Sequence, residues 1–131
     1  NLMLRQYFKY LPAILWMCLI FLFSSRPDLP SNKIYVVDFI FKKTAHVLEY
    51  SILFLLWYWA LGHKNPIKAF LVSICYAFTD EIHQLFVPGR TGLLRDVAID
   101  SVGMIILSLL IVKFDLWKKL LSPLPTKKHG K

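Results

Sequence analysis

Three short groups of histidines and carboxylic acids carry the chemistry that this sequence could perform. Imidazole and carboxylate side chains transfer protons in acid–base catalysis, and together they bind divalent metals. Residues of these types at such short spacings therefore indicate a site for acid–base or metal-assisted hydrolysis or group transfer. The candidate catalytic residues are His46, Glu49, Asp80, Glu81, His83, Asp96 and Asp100.

A divalent metal is one way in which these groups could act. The candidate ligands are His46, Glu49, Asp80 and His83, whose side chains suit Zn, Mn or Mg by ligand type. Neither His-x-x-Glu nor Asp-Glu-x-His is a specific metal signal by itself. The sequence leaves the cofactor open between a divalent metal and none.

Basic and hydrogen-bonding residues lie beside the acids and could hold the phosphate or carboxylate of a substrate. The arginines could equally be anchors for lipid headgroups, and the tyrosine could serve packing alone. The candidate substrate-binding residues are Lys42, Lys43, Tyr50, Gln84, Arg90 and Arg95.

Four apolar runs separate these groups and predict the elements that position them. The chain has 131 residues, of which 56% are hydrophobic, and its mean hydropathy of +0.52 is high for a soluble domain. Since a helix needs about 20 apolar residues to cross a bilayer, we expect an all-α integral membrane protein, a bundle of four transmembrane helices. The predicted spans are residues 11–23, 44–61, 67 to about 86, and 96–114, with an amphipathic segment at 33–43 before the second span.

The distribution of positive charge predicts the orientation of the bundle. Of the 16 Lys and Arg residues, ten lie at the termini and in the middle connection, and six lie around the first and third connections. Positive residues favour the cytoplasmic side, so we expect both termini in the cytoplasm. The net charge of +8 is explained by these span ends, and we predict no nucleic-acid partner. Residues 1–117 would form one membrane domain, followed by a basic, mobile tail at 118–131.

Folding the four spans back and forth brings the chemical groups to one predicted outer face. The first histidine group opens span two, the Asp80 group closes span three, and the Asp96 group opens span four. An acidic residue inside a membrane is costly, by about 2.5–3.5 kcal/mol at the bilayer centre, and it is usually functional. Gly103, seven residues after Asp96 on the same helical face, would let a neighbouring helix approach closely.

The order and spacing of these residues resemble the VanZ-like family over about residues 11–110. The resemblance rests on Lys43-x-x-His46-x-x-Glu49-Tyr50, on Asp80-Glu81-x-His83-Gln84-x-Phe86-x-Pro88-Gly89-Arg90, on Asp96-x-x-x-Asp100-x-x-Gly103, and on the Ser24-Ser25 end of the first span. The family takes its name from a protein associated with teicoplanin resistance in Gram-positive bacteria. The resemblance implies a multi-pass protein of the bacterial cytoplasmic membrane with a role in the cell envelope.

These observations lead to one function hypothesis and one alternative. An outward-facing polar pocket would bind or modify an anionic, lipid-linked envelope precursor, in contact with membrane lipid, and so give resistance to teicoplanin-type glycopeptides. The alternative is a non-catalytic protein that binds a lipid or a lipidated glycopeptide, or modulates a partner enzyme. A transporter or channel is disfavoured because the charges gather at one face only. The sequence leaves an oligomer open.

Overall fold

Four helices make up the part of the chain that the computed structural model describes, residues 7–27 and 34–121. They are α1 (Leu11–Ser24), α2 (Tyr35–Ala60), α3 (Pro66–Gln84) and α4 (Leu94–Leu121). Those residues contain no strand, so the predicted all-α class is confirmed there. α2 joins the predicted amphipathic segment and the second span in one helix of 26 residues. α4 continues through the first residues of the predicted tail, and residues 122–131 lie outside the described part.

The first helix is short and is fixed to its neighbours by hydrogen bonds to backbone carbonyls. α1 has 14 residues and packs against α2 and α3. The Trp16 indole donates to the carbonyl oxygen of Glu49 on α2 at 2.9 Å. The Tyr76 hydroxyl on α3 donates to the carbonyl oxygen of Met17 at 2.6 Å. These two bonds set the position of α1 and therefore of its C-terminal end, which reaches the site.

α2 and α4 pack at close range around a glycine. A Cβ atom added at Gly103 would overlap the Ser51 hydroxyl oxygen and contact Val47 of α2. Only a residue without a side chain permits this approach, which confirms the prediction for Gly103. The core between these helices is apolar over most of its length and includes buried Leu53, Phe54 and Met104.

The distribution of polarity between surface and interior is unlike that of a soluble bundle. Large apolar residues are exposed on all four helices, whereas Asp80, Glu81, Asp96 and Asp100 are each at most 5% exposed. Among the described helices, α4 alone is both long and apolar enough to cross a membrane, over Leu94–Asp115, and α1 is apolar but shorter. Extensive exposed apolar surface with charge inside indicates a membrane protein.

Candidate functional site

The polar residues gather at one end of the bundle, around a cavity of about 180 Å³. The first three turns of α2 form one wall of the cavity, and the α3–α4 connection forms the opposite wall. The start of α4 forms the side between them. The cavity is therefore built from elements that lie apart in sequence. Its lining residues are Asp38, Phe39, Lys42, Lys43, His46, Gln84, Gly89, Arg90, Thr91, Arg95 and Asp96.

Basic side chains dominate the wall of this cavity. Of the six predicted substrate-binding residues, Tyr50 alone does not line it. Lys43 Nζ lies 2.9 Å from Asp96 Oδ2, and Lys42 Nζ lies 2.6 Å from Asp38 Oδ2. The Arg95 side chain is 67% exposed, so its guanidinium can turn toward an anion at the cavity mouth.

Arg90 lines the cavity and also holds the end of α1. Its guanidinium donates to the carbonyl oxygens of Phe23 at 3.2 Å and Arg26 at 2.9 Å, and more weakly to Gln84 Oε1 at 3.5 Å. The last carbonyls of a helix lack partners within the helix, and a cation there is favoured by the helix dipole. Arg90 therefore fixes α1 against the α3–α4 connection, in addition to facing the cavity.

Asp80 is the centre of a fully bonded polar cluster that joins three helices. Its carboxylate accepts hydrogen bonds from the Ser24 hydroxyl of α1, from the Tyr50 hydroxyl of α2 at 2.9 Å, and from Gln84 Nε2 of α3 at 3.0 Å. Asp80 and Tyr50 are both buried. A buried carboxylate with three donors has the partners that its burial requires.

A second cluster, formed by His46, Glu81 and Asp100, is much less well bonded. One ligand atom from each residue lies within 4.8 Å of the others. His46 Nδ1 is 3.6 Å from Asp100 Oδ1, an ion-pair distance too long for a good hydrogen bond. Glu81 Oε2 accepts from the backbone N–H of Leu93 at 3.1 Å. In the described part of the chain, Glu81 Oε1 and both Asp100 oxygens have no hydrogen-bond partner.

The other two predicted catalytic groups, Glu49 and His83, lie elsewhere at the same end. His83 Nε2 is 2.9 Å from Ser25 Oγ, and its ring stacks on Phe21 with centroids 4.3 Å apart, so it faces α1. Glu49 is half-buried in a neighbouring cavity of about 140 Å³ that Arg90 also lines.

The structure thus brings His46, Glu81 and Asp100 together, while Asp80 and His83 point toward α1. Sequence reasoning did not assign Ser24 and Ser25 to the site, although they are the direct partners of Asp80 and His83. The available signal was their position at the end of α1, on the face where the charged groups were expected.

The family model described as VanZ/LLP1 matches residues 9–118 of the chain, which include all four motifs. No curated protein and no solved structure matches the chain significantly.

Proposed function

The chain belongs to the VanZ/LLP1 family, and from that premise we propose that it is a cell-envelope membrane protein whose basic cavity binds an anionic, lipid-linked envelope molecule. A cell-envelope role tied to glycopeptide resistance is consistent with membership of this family. The observation that carries the proposal is the placement of Lys42, Lys43, Arg90 and Arg95 around one cavity.

The charge and position of the cavity favour an anionic headgroup on a lipid. Three of its four cations have an acidic partner, Lys42 with Asp38 at 2.6 Å, Lys43 with Asp96 at 2.9 Å and Arg95 with Asp96 at 3.7 Å, so four cations face two acids. Arg90 and Arg95 add positive charge at the mouth, and guanidinium groups bind phosphate with paired hydrogen bonds. Phe39 of α2 lines the cavity and is exposed, and Leu94, next to Arg95 on α4, is exposed too. The apolar tail of a lipid can therefore contact these side chains while its headgroup enters the cavity.

The proposal includes four membrane spans with both termini in the cytoplasm. The exposed apolar faces of all four helices and the ten-to-six distribution of Lys and Arg support it. With that orientation, the C-terminal ends of α1 and α3 and the start of α4 would lie at the outer side, and the cavity with them. In a variant without Cys18 and Cys75, an impermeant thiol reagent added outside should label Thr91→Cys and not Lys64→Cys. Labelling of position 64 alone would reverse the orientation.

A binding measurement with charged and uncharged forms of one lipid tests the proposed function. The full chain in a neutral detergent is titrated with a polyprenyl phosphate and with the corresponding polyprenol, and bound lipid is counted by native mass spectrometry. We expect the phosphate to bind at least about tenfold more tightly, because a charge-assisted contact contributes about 1.5–3 kcal/mol. Equal affinity for the two lipids would contradict the proposal.

Arg95 gives the clearest variant for this experiment. Its side chain is exposed and contacts only Asp96 among the described ion pairs, so Arg95→Gln should leave the fold intact while weakening phosphate binding about three- to tenfold. Lys113→Gln is the matched control, since Lys113 is an exposed cation toward the other end of α4. Polyprenol binding should be unchanged in both variants.

A further inference from the structure

The unsatisfied cluster beneath the cavity has no role in the binding proposed above. Asp100 is 0% exposed and Glu81 is 5% exposed, and three of their four carboxylate oxygens have no hydrogen-bond partner among the described residues. Burying a carboxylate oxygen without a partner costs about 1–3 kcal/mol or more. Groups held in this way require a cation or a proton that the neighbouring side chains do not supply.

The protein cations around the cluster are too few to balance its acids. His46 is the one cationic group in the cluster, and it lies 3.6 Å from a carboxylate oxygen of Asp100. Lys43, which lines the same cavity as His46, has its ammonium group 2.9 Å from Asp96. One imidazole therefore faces two carboxylates, those of Glu81 and Asp100. One oxygen atom of each carboxylate and one ring nitrogen of His46 all lie within 4.8 Å of one another.

We propose that His46, Glu81 and Asp100 bind one divalent transition-metal ion, of the Zn²⁺ or Mn²⁺ class. One imidazole nitrogen and two carboxylates are a ligand set that these ions accept. Ligand atoms at about 2.1 Å from one ion are about 3.4 Å apart in a tetrahedral site. Side-chain rotations that move the ligand atoms by about an ångström would therefore bring all three within bonding distance of one ion. This ligand set shares only His46 with the one that sequence spacing predicts.

Three protein ligands leave a coordination position open, as in catalytic rather than structural zinc sites. An ion held by the three residues would border the basic cavity, because His46 lines the cavity, whereas Glu81 and Asp100 are buried and do not line it. A phosphate held by the basic wall would then reach the metal. The metal site does not depend on lipid binding, and its failure would leave the proposed function standing.

Titration of the full chain with metal alone tests the site. The protein is purified in neutral detergent, treated with a chelator, and titrated with Zn²⁺ by calorimetry. We expect one Zn²⁺ to bind per chain, and Asp100→Asn and Glu81→Gln each to weaken binding about 100-fold, because each replaces a charged carboxylate ligand with a neutral amide that binds Zn²⁺ poorly. Asp115→Asn, the same change toward the other end of α4, should bind like the wild type.

Two results would overturn the proposal. One is a folded, chelator-treated wild type that binds no Zn²⁺ and no Mn²⁺, the latter measured by electron paramagnetic resonance. The other is an affinity that Asp100→Asn and Glu81→Gln leave unchanged. Glu81→Gln keeps an oxygen to accept from the Leu93 N–H, so it decides the question if Asp100→Asn does not fold.

Discussion

Asp80 and Asp100 are two buried carboxylates at the same end of the bundle, and their surroundings differ completely. Asp80 is 3% exposed and accepts hydrogen bonds from three helices. Asp100 is 0% exposed, and within the described residues neither of its oxygens is hydrogen-bonded. Burial alone therefore does not distinguish the two acids; the presence of hydrogen-bond donors does.

The difference divides the site into a part that holds the helices together and a part that is available to a ligand. Hydrogen bonds to Asp80 join α1 to α2 and α3. At the same end of α1, the Arg90 guanidinium donates hydrogen bonds to the carbonyl oxygens of Phe23 and Arg26. The His46–Glu81–Asp100 cluster and the basic cavity lie on the α4 side. Substitutions on the two sides should thus change different properties, stability on one and binding on the other.

The largest effect on stability is expected for Asp80→Ala. It removes the shared acceptor of Ser24, Tyr50 and Gln84 and leaves the buried donors of Tyr50 and Gln84 without that partner, so the free energy of unfolding should fall by about 3 kcal/mol or more. Reversible unfolding in detergent, followed by circular dichroism, measures this loss. Asp115→Ala is the control and should change stability by less than about 0.5 kcal/mol. An equally small change for Asp80→Ala would mean that the cluster does not hold the helices.

A smaller loss is expected for Tyr50→Phe, which removes one donor and keeps the buried ring. We expect about 1–1.5 kcal/mol of destabilisation, the net value of one buried hydrogen bond. The same change made in the Asp80→Ala protein should not destabilise it further and should recover part of the lost stability, because it removes a buried hydroxyl whose partner is already absent. Additive effects in this double-mutant cycle would contradict the hydrogen bond to Asp80.

The smallest change in stability is expected for Asp100→Asn in metal-free protein, within about 1 kcal/mol of the wild type. The substitution breaks the ion pair with His46, but it also relieves the burial of an uncompensated charge. The same unfolding experiment, run with a chelator, measures the difference. A loss as large as that of Asp80→Ala would show that Asp100 is a structural acid, and the contrast between the two clusters would disappear.

The sequence predicted the helices and the end of the bundle at which the polar groups meet. Run length and turn residues were sufficient for this, since Gly62, Pro66 and Gly89 mark the connections that the structure shows. Asp80 and Glu81 are about 100° apart on α3, and in the structure they face different neighbours.

The sequence did not predict which neighbours these are. The partner of each acid depends on the rotation and tilt of adjacent helices, which packing contacts such as Gly103 against Ser51 determine. His83 shares a helical face with Asp80, yet it lies against Ser25 and Phe21 because α1 ends there. A short α1 fixed by Trp16 and Tyr76 could not be inferred from periodicity.

If the basic cavity binds an anionic lipid headgroup, a lipid in vesicles should be found there by photo-crosslinking. The experiment uses a phosphate-bearing lipid whose photoreactive group lies beside the headgroup, and a neutral lipid of the same tail as control. We expect the phosphate lipid to attach to residues 38–46 and 89–96, Arg95→Gln to reduce this attachment, and the neutral lipid to give none of it. Attachment of both lipids only to the exposed apolar faces of α1 and α4 would rule out the cavity as the headgroup site.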